Sequence, residues 1–319
     1  MENPVSDGKL VEATRHPQFV LHEVFYKPSF FKSKLASLIP NPNEVSSRYV
    51  QLLEGNHFVE FQGGMGRVIK MKDTKLDRFV AVKKSLYSSK EAYDEAKDLA
   101  SLNHENILKV HDLAISSPDQ NGEVDLYFVS EWVDGVKLSE AERDLKYKDA
   151  VKLLKQICSA IEYVGDQNKV HSDLKDDNIL VNKMGNAVVL DFGLLKKLRG
   201  GKAVAGMGTP YWAPPEQATY GEVLPSTDSY YLGGLTIKVL FSDSSLSASL
   251  EQTRESLLND SNLVLTPRSQ FRRVFEKHPE VVKEFTSCLR KSQQPIPKNR
   301  YQSAKEFNKV LLPLFTRVK

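Results

Sequence analysis

Long apolar runs are missing from this sequence. No stretch approaches the roughly 20 consecutive apolar residues that a membrane-crossing helix needs, so no integral membrane segment is expected. Cysteine is nearly absent: Cys158 and Cys288 are the 2 in 319 residues, each inside a helix-like apolar pattern. So sparse a supply is no disulfide framework, and both are expected to be reduced core residues. Charge of one sign is not in excess either. A formal net charge of +3 is too small to point to nucleic acid or an anionic membrane. The opening MENPVSDGKLVEATRH lacks the apolar core of a secretory leader, so passage through a Sec-type route is not expected. The expectation is a cytoplasmic protein, with delivery into another cell by a non-Sec route left open. There is no internal repeat and no long low-complexity tract. What remains is an ordinary globular composition, 40% hydrophobic and 27% charged, in a chain long enough for one large or two smaller domains.

Periodicity divides the chain. Residues 1 to about 45 settle into no single period and end in the turn-rich IPNPNE. Within them, FYKPSFFKSKLASLIP (25–40) mixes aromatics with Lys. Its prolines Pro28 and Pro40 break any long amphipathic helix, so packing on the rest of the chain is favoured over membrane docking. From 51 to 134 the pattern is strand-like, in HFVEF, RVIKMK, RFVAVKKS and LYFVSEWV. One helical pattern, KEAYDEAKDLASLNH, interrupts it. From about 136 helical signatures dominate, YKDAVKLLKQICSAIEYV most clearly, with short strands at NILV and AVVLDF on either side of a turn at NKMGN. A β-rich region followed by a helix-rich one predicts two lobes and a cleft.

Four short segments carry chemistry. HSDLKDDN (171–178) crowds three Asp, a Lys and an Asn against an apolar strand. DFG (191–193) follows the strand AVVL and puts a carboxylate at a strand end, a ligand suited to a hard cation such as Mg²⁺. VAVKK (80–84) sets Lys83 on a strand as a fixed point charge for phosphate oxygens, and FQGGMGRV (61–68) is a glycine-rich turn where backbone N–H groups can approach phosphates. Because strand rather than helix follows that turn, neither a dinucleotide-binding fingerprint nor a Walker loop fits. His104 and the other His show no zinc spacing.

With GTPYWAPPE (208–216), Asp228 in TDSYYLGG and Arg300 in PKNRYQSA added, the order of motifs resembles a eukaryotic-type serine/threonine protein kinase over about residues 55 to 315. The resemblance implies a bilobal α+β fold: an N-terminal extension (1–50), a small β-rich N-lobe with one αC helix (51–134) and a larger helical C-lobe (135–319). It implies ATP and Mg²⁺ as cofactors and a protein carrying Ser or Thr as substrate, with no nucleic acid and no integral membrane association. By the same resemblance Lys83 holds the α- and β-phosphates and pairs with Glu95, chosen over Glu91 because it precedes HENI by nine residues. Asp173 accepts the substrate hydroxyl's proton, Lys175 neutralises the moving phosphoryl group, and Thr209 bonds both. Asn178 and Asp191 hold the metal. Gly63, Gly64, Gly66, Val68, Ala81, Lys83, Ser130, Glu131, Val133 and Leu180 contact the nucleotide, Glu131 and Val133 through their backbones. Small Ser130 at the gatekeeper position implies a pocket behind the adenine and sensitivity to bulky adenine mimics. Asp228 bonds the catalytic-loop backbone, and Arg300 pairs with Glu216. His171 is a packed residue, against Phe192, Leu99 and Val110. Small-molecule kinases share the catalytic Asp and Asn but generally lack the GTPYWAPPE–Asp228–Arg300 array.

Departures from the pattern matter as much. Ser172 stands where the family usually has an Arg that grips an activation-segment phosphate, giving a non-RD catalytic loop. The segment 194–208, LLKKLRGGKAVAGMG, has no Ser, Thr or Tyr. Both halves of a phospho-switch are missing together, which predicts activity independent of activation-segment phosphorylation. Phe61 replaces the loop's usual first Gly and is expected to restrict its opening. The alternative is a pseudokinase, a nucleotide-binding or scaffolding module, resting on Phe61 and Ser172 alone. The basic residues Lys196, Lys197, Arg199 and Lys202 read as a solvated mobile loop rather than a site for an acidic partner.

Overall fold

The computed structural model describes residues 48–51, 53–54, 57–58, 60–63, 66–84, 97–115, 126–192, 195–241 and 247–318. Glu95 and Gly64 lie outside the described residues. The described chain falls into two compact units, one of residues 48–101 and 109–132, the other of 102–108 and 133–318. The first is built on a sheet and the second largely on helices, an α+β architecture.

In the first unit, β1 (Tyr49–Gln51), β4 (Glu60–Gly63), β5 (Gly66–Asp73), β6 (Arg78–Lys84), β7 (Val110–Ile115) and β8 (Leu126–Glu131) form one antiparallel sheet, ordered β1-β5-β6-β8-β7 with β4 also paired to β5. A short hairpin, β2 (Leu53–Glu54) with β3 (His57–Phe58), stands apart. Side chains alternate along a strand, so Ile69 and Met71 of β5, Val80 and Val82 of β6 and Val129 of β8 share one face. That face is a buried core closed by Tyr49 and Tyr127. Asp73 anchors one end of β5. Arg48 donates to both its oxygens at 2.9 Å, and Arg78 adds a third bond at 3.3 Å. The Arg48 guanidinium holds the Asp73 carboxyl down at about 2.

The second unit begins with β9 (Gly135–Lys137), the short α1 (Leu138–Ala141) and α2 (Tyr147–Asp166). In α2, Ala150, Val151, Leu154, Ile157, Cys158, Ile161 and Val164 recur at three- and four-residue spacing and are all buried. Each fully buried Leu or Ile contributes roughly 1.5–3 kcal/mol. β10 (Lys169–Val170) leads into the loop 171–178. β11 (Ile179–Asn182) pairs with β9 and with β12 (Ala187–Val189), turning at Gly185. After α3 (Pro215–Tyr220), α4 (Thr227–Phe241) is buried on every side and is the axis of the unit. α5 (Ser247–Asn259), α6 (Arg272–Phe275), α7 (Pro279–Ser292) and α8 (Ala304–Arg317) complete it. Cys158 and Cys288 are both buried and unbonded to each other. Among the described residues no helix is long and apolar enough to cross a membrane.

The basic stretch after the DFG motif is not an irregular loop. β13 (Lys196–Lys197) pairs with β10, and β14 (Ala203–Val204) pairs with β15 (Glu222–Val223). Arg199 and Lys202 face each other across Gly200 and Gly201, whose φ values of 60° and 82° make a type I′ hairpin turn. Val170, Leu198 and Val223 bury a small apolar cluster beneath it, with Ala203 and Ala205 packed on. Lys197, Arg199 and Lys202 stay exposed, as expected of a solvated stretch, while the Gly-Gly turn between them pairs it into a hairpin.

Candidate active site

In the first unit the register places the nucleotide candidates. Val68 is paired with Lys83, and Ala81 with Ser130. Directly opposed residues share a face, as do residues two apart, so Gly66, Val68, Ala81, Lys83 and Ser130 occupy the face opposite the core. Gly63 and Gly66 close the β4–β5 connection. Glu131 is committed at the end of β8: its N–H donates to Lys109 O and its Oε1 accepts from Lys109 N, both at 2.9 Å.

In the second unit Asp173, Lys175, Asn178 and Thr209 form one hydrogen-bonded cluster. Thr209 donates its hydroxyl to Asp173 Oδ1 at 2.7 Å and its backbone N–H to the same atom at 3.1 Å. Lys175 Nζ donates to Thr209 Oγ1 at 2.6 Å and lies 3.5 Å from Asp173 Oδ2. Asn178 Nδ2 donates to Asp173 O at 2.8 Å and to Oδ2 at 3.1 Å. Asp173 is fully buried within these donors, so an outside group would reach its carboxylate only by displacing one of them. With its amide nitrogen spent, Asn178 presents Oδ1. Together with the Asp191 carboxylate, that makes a donor set of hard oxygens, which fits a divalent cation of the magnesium kind. Leu190 N donates to Asn178 O at 2.7 Å, and Asp191 follows it in left-handed backbone, φ 52°. Leu180 and Val133 are half-buried, Leu180 on β11 opposite Lys137.

What holds the loop is α4. Asp228 in its first turn accepts the N–H groups of His171 at 2.9 Å and Ser172 at 3.0 Å, and burial pushes its own carboxyl up. Ser172 is fully buried with φ 60°. A residue with a Cβ loses about 1–2 kcal/mol in that conformation, so the surrounding bonds must impose it. The His171 ring packs against Phe192 at 4.6 Å and bonds Leu190 O at 3.2 Å, a structural arrangement.

The segment 208–216 is tied from below. Arg300 donates to Glu216 at 2.8 and 2.7 Å through both terminal nitrogens, in a buried bidentate pair. Sequence reasoning missed a second arginine. Arg254 of α5 is buried, donates to Gln293 Oε1 at 2.5 Å, to Tyr211 O, and at longer range to Trp212 O. Both guanidinium groups lie over the Tyr230 ring, at 4.5 and 4.7 Å. Room for Arg254 comes from Gly234 inside α4, where an added Cβ would collide with its guanidinium. The pair Gly233–Gly234, each costing about 1 kcal/mol in a helix interior, was the available signal.

Comparison with known proteins shows what the chain resembles in sequence. Residues 62–311 match the family described as the protein kinase domain. The chain is 34% identical over 193 residues to the serine/threonine-protein kinase PrkC of Bacillus subtilis, covering 56% of this chain and 28% of that protein. It is 29% identical over 296 residues to the serine/threonine-protein kinase PknB of Mycolicibacterium smegmatis, covering 85% and 43%. To the serine/threonine-protein kinase PknA of Mycobacterium tuberculosis it is 34% identical over 184 residues, covering 54% and 42%. The matched regions thus span less than half the length of these curated relatives.

Proposed function

This chain belongs to the protein kinase domain family, and from that premise we propose that it transfers the γ-phosphoryl group of ATP to serine or threonine hydroxyls of protein substrates. The family uses ATP with a divalent metal ion, and we assign Mg²⁺ to that place. The observation that carries the reading is the cluster of Asp173, Lys175, Asn178 and Thr209, whose four members are joined by bonds of 2.6 to 3.1 Å. In the second unit Asp173 orients the attacking hydroxyl and takes its proton, Lys175 offsets charge on the moving phosphoryl group, and Thr209 keeps the two in register. Phosphoryl transfer passes through a loose transition state, so positioning and charge compensation are most of what a protein can add. Asn178 Oδ1 and the Asp191 carboxylate would hold the metal, which when bound neutralises phosphate charge. In the first unit Lys83 serves the α- and β-phosphates and the Gly63–Gly66 connection covers them. Val68, Ala81 and Ser130 are assigned to the adenine side, as is Leu180 in the second unit. The Glu131 N–H is already donated to Lys109, so its carbonyl is assigned the adenine contact, together with the Val133 backbone.

The segment 194–208 has no hydroxyl to phosphorylate and is paired into short strands on both sides of Gly200–Gly201, which supports activity without activation-segment phosphorylation. The two buried free thiols suit a reducing compartment, and the cytoplasm is proposed as the site of action. Labelled ATP with a generic protein substrate tests the reading. Wild type, pretreated with phosphatase, is expected to transfer label, and Asp173→Ala and Asp191→Ala to lose it by at least about 100-fold. Equal background from all three would refute phosphoryl transfer, and activity lost on dephosphorylation would refute the phosphate-independent part alone.

A further inference from the structure

We propose that Gln217 is a positioning residue for this reaction: its buried side-chain amide joins the backbone beside Asp173 to the backbone of the segment that leads into Thr209. The proposal rests on the kinase reading above and names what orders that segment in a chain with no phosphate there.

Gln217 lies in α3 and is fully buried. Its Nε2 donates to Ser172 O at 2.7 Å and to Gly206 O at 3.1 Å, which uses both amide hydrogens. Its Oε1 accepts the hydroxyl of Tyr231, a fully buried residue of α4, at 3.1 Å. The Ser172 peptide is therefore gripped at both ends: Asp228 accepts its N–H and Gln217 donates to its carbonyl. Asp173 is the next residue. On the other side, Gly206 precedes Gly208, whose φ is 73°. A Cβ at Gly208 would meet Tyr231 Oη at 2.7 Å, Ala213 Cβ at 2.9 Å and Gln217 Nε2 at 3.0 Å, so only glycine lets the chain pass this close to the amide. Thr209, which bonds Asp173, follows directly. One amide thus fixes the peptide before Asp173 and the peptides before Thr209 relative to each other. In a site enclosed this completely, a shift of either is a shift of the carboxylate that meets the substrate.

Replacing Gln217 by Leu keeps most of its volume but leaves the buried Ser172 carbonyl and the buried Tyr231 hydroxyl without this partner and frees the Gly206 carbonyl. Replacing it by Glu keeps the shape and puts acceptors against both carbonyls. In the full chain, assayed with MgATP and casein, both are expected to lower kcat by about 10- to 100-fold while KM for ATP stays within about twofold. Tyr231→Phe, which only orients the amide, is expected to lower kcat by about threefold. Hydrogen–deuterium exchange of residues 205–213, measured without nucleotide or substrate, is expected to accelerate in all three. A folded Gln217→Leu with wild-type kcat overturns the proposal. Should both Gln217 variants fail to fold, Tyr231→Phe decides it: unchanged kcat and unchanged exchange overturn it. If wild type itself transfers nothing, the kinase reading falls, and exchange at 205–213 unchanged by Gln217→Leu overturns the positioning claim separately.

Discussion

Glu142 offers a prediction in which the sign and the size both come from its surroundings. It follows α1, its side chain is fully enclosed, and neither carboxylate oxygen accepts a hydrogen bond among the described residues. Arg268 Nη1 stands 3.4 Å from Oε1, too poorly aligned to bond, and Lys238 Nζ is 4.0 Å away. Burial pushes the carboxyl from its ordinary 4.5 to about 7, the nearby Arg268 and Lys238 charges offsetting only part of that, and Asp176 adding to it. Below pH 4.5 the folded and unfolded chains both hold this proton. Between 4.5 and about 7 the unfolded chain releases it and the folded chain keeps it, so folding takes up a proton and stability falls as pH rises. Each pH unit of that window is worth about 1.4 kcal/mol, which sets a ceiling of about 3 kcal/mol. Glu142→Gln keeps the shape and removes the titration. Urea unfolding, followed by the fluorescence of buried Trp212, should be measured for both proteins from pH 4.5 to 8. The variant is expected to gain about 2–3 kcal/mol on wild type across that range, nearly all of it before pH 7.5. A difference that stays flat within about 0.5 kcal/mol, or that moves towards wild type as pH rises, would refute the reasoning.

Two further perturbations test the supports of the site. Arg300→Ala leaves the Glu216 carboxylate buried and unpaired and is expected to cost about 3–5 kcal/mol in urea unfolding; a loss under about 1 kcal/mol would show the pair to be incidental. Arg300→Lys is not expected to recover it, because an ammonium cannot bond both oxygens in parallel. At the Gly200–Gly201 turn an added Cβ meets nothing within 4 Å, so alanine there is charged for backbone conformation alone. The double alanine variant should lose about 2–4 kcal/mol and exchange amides faster at 195–205, whereas asparagine at position 200 should be tolerated; equal exchange in all three proteins would remove the hairpin from the account.

Much of this was written in local pattern. Ile69/Met71 and Val80/Val82 alternate as a half-buried sheet requires, and the apolar spacing of α2 left no doubt about its buried side. The hydrogen-bonded cluster was legible because its members Asp173, Lys175 and Asn178 lie within six residues and are of types suited to one another. Strand β7 was not. A bulge between Val110 and Asp112 adds one residue and shifts the alternation, and Asp112 is there to meet Arg48 at 3.1 Å and Tyr49 at 2.9 Å. The strands β13 and β14 are two residues each, too short to display a period, so only the turn glycines between them could have given them away. Arg254 and Gln217 were illegible for a different reason. The partners of Arg254, and Ser172 among those of Gln217, stand about 40 residues away in the chain, and a glutamine or arginine in a helix looks like solvent-facing surface until tertiary packing closes over it.

The two enclosed cysteines make the second unit its own reporter. Burial drives the Cys288 thiol up to about 11 and Cys158 higher still, so in the folded chain neither offers an attackable thiolate to a thiol reagent at neutral pH. Colour released by a disulfide dye therefore clocks the opening of α2 and α7, with no label engineered and no other sulfhydryl in the chain to confuse the trace.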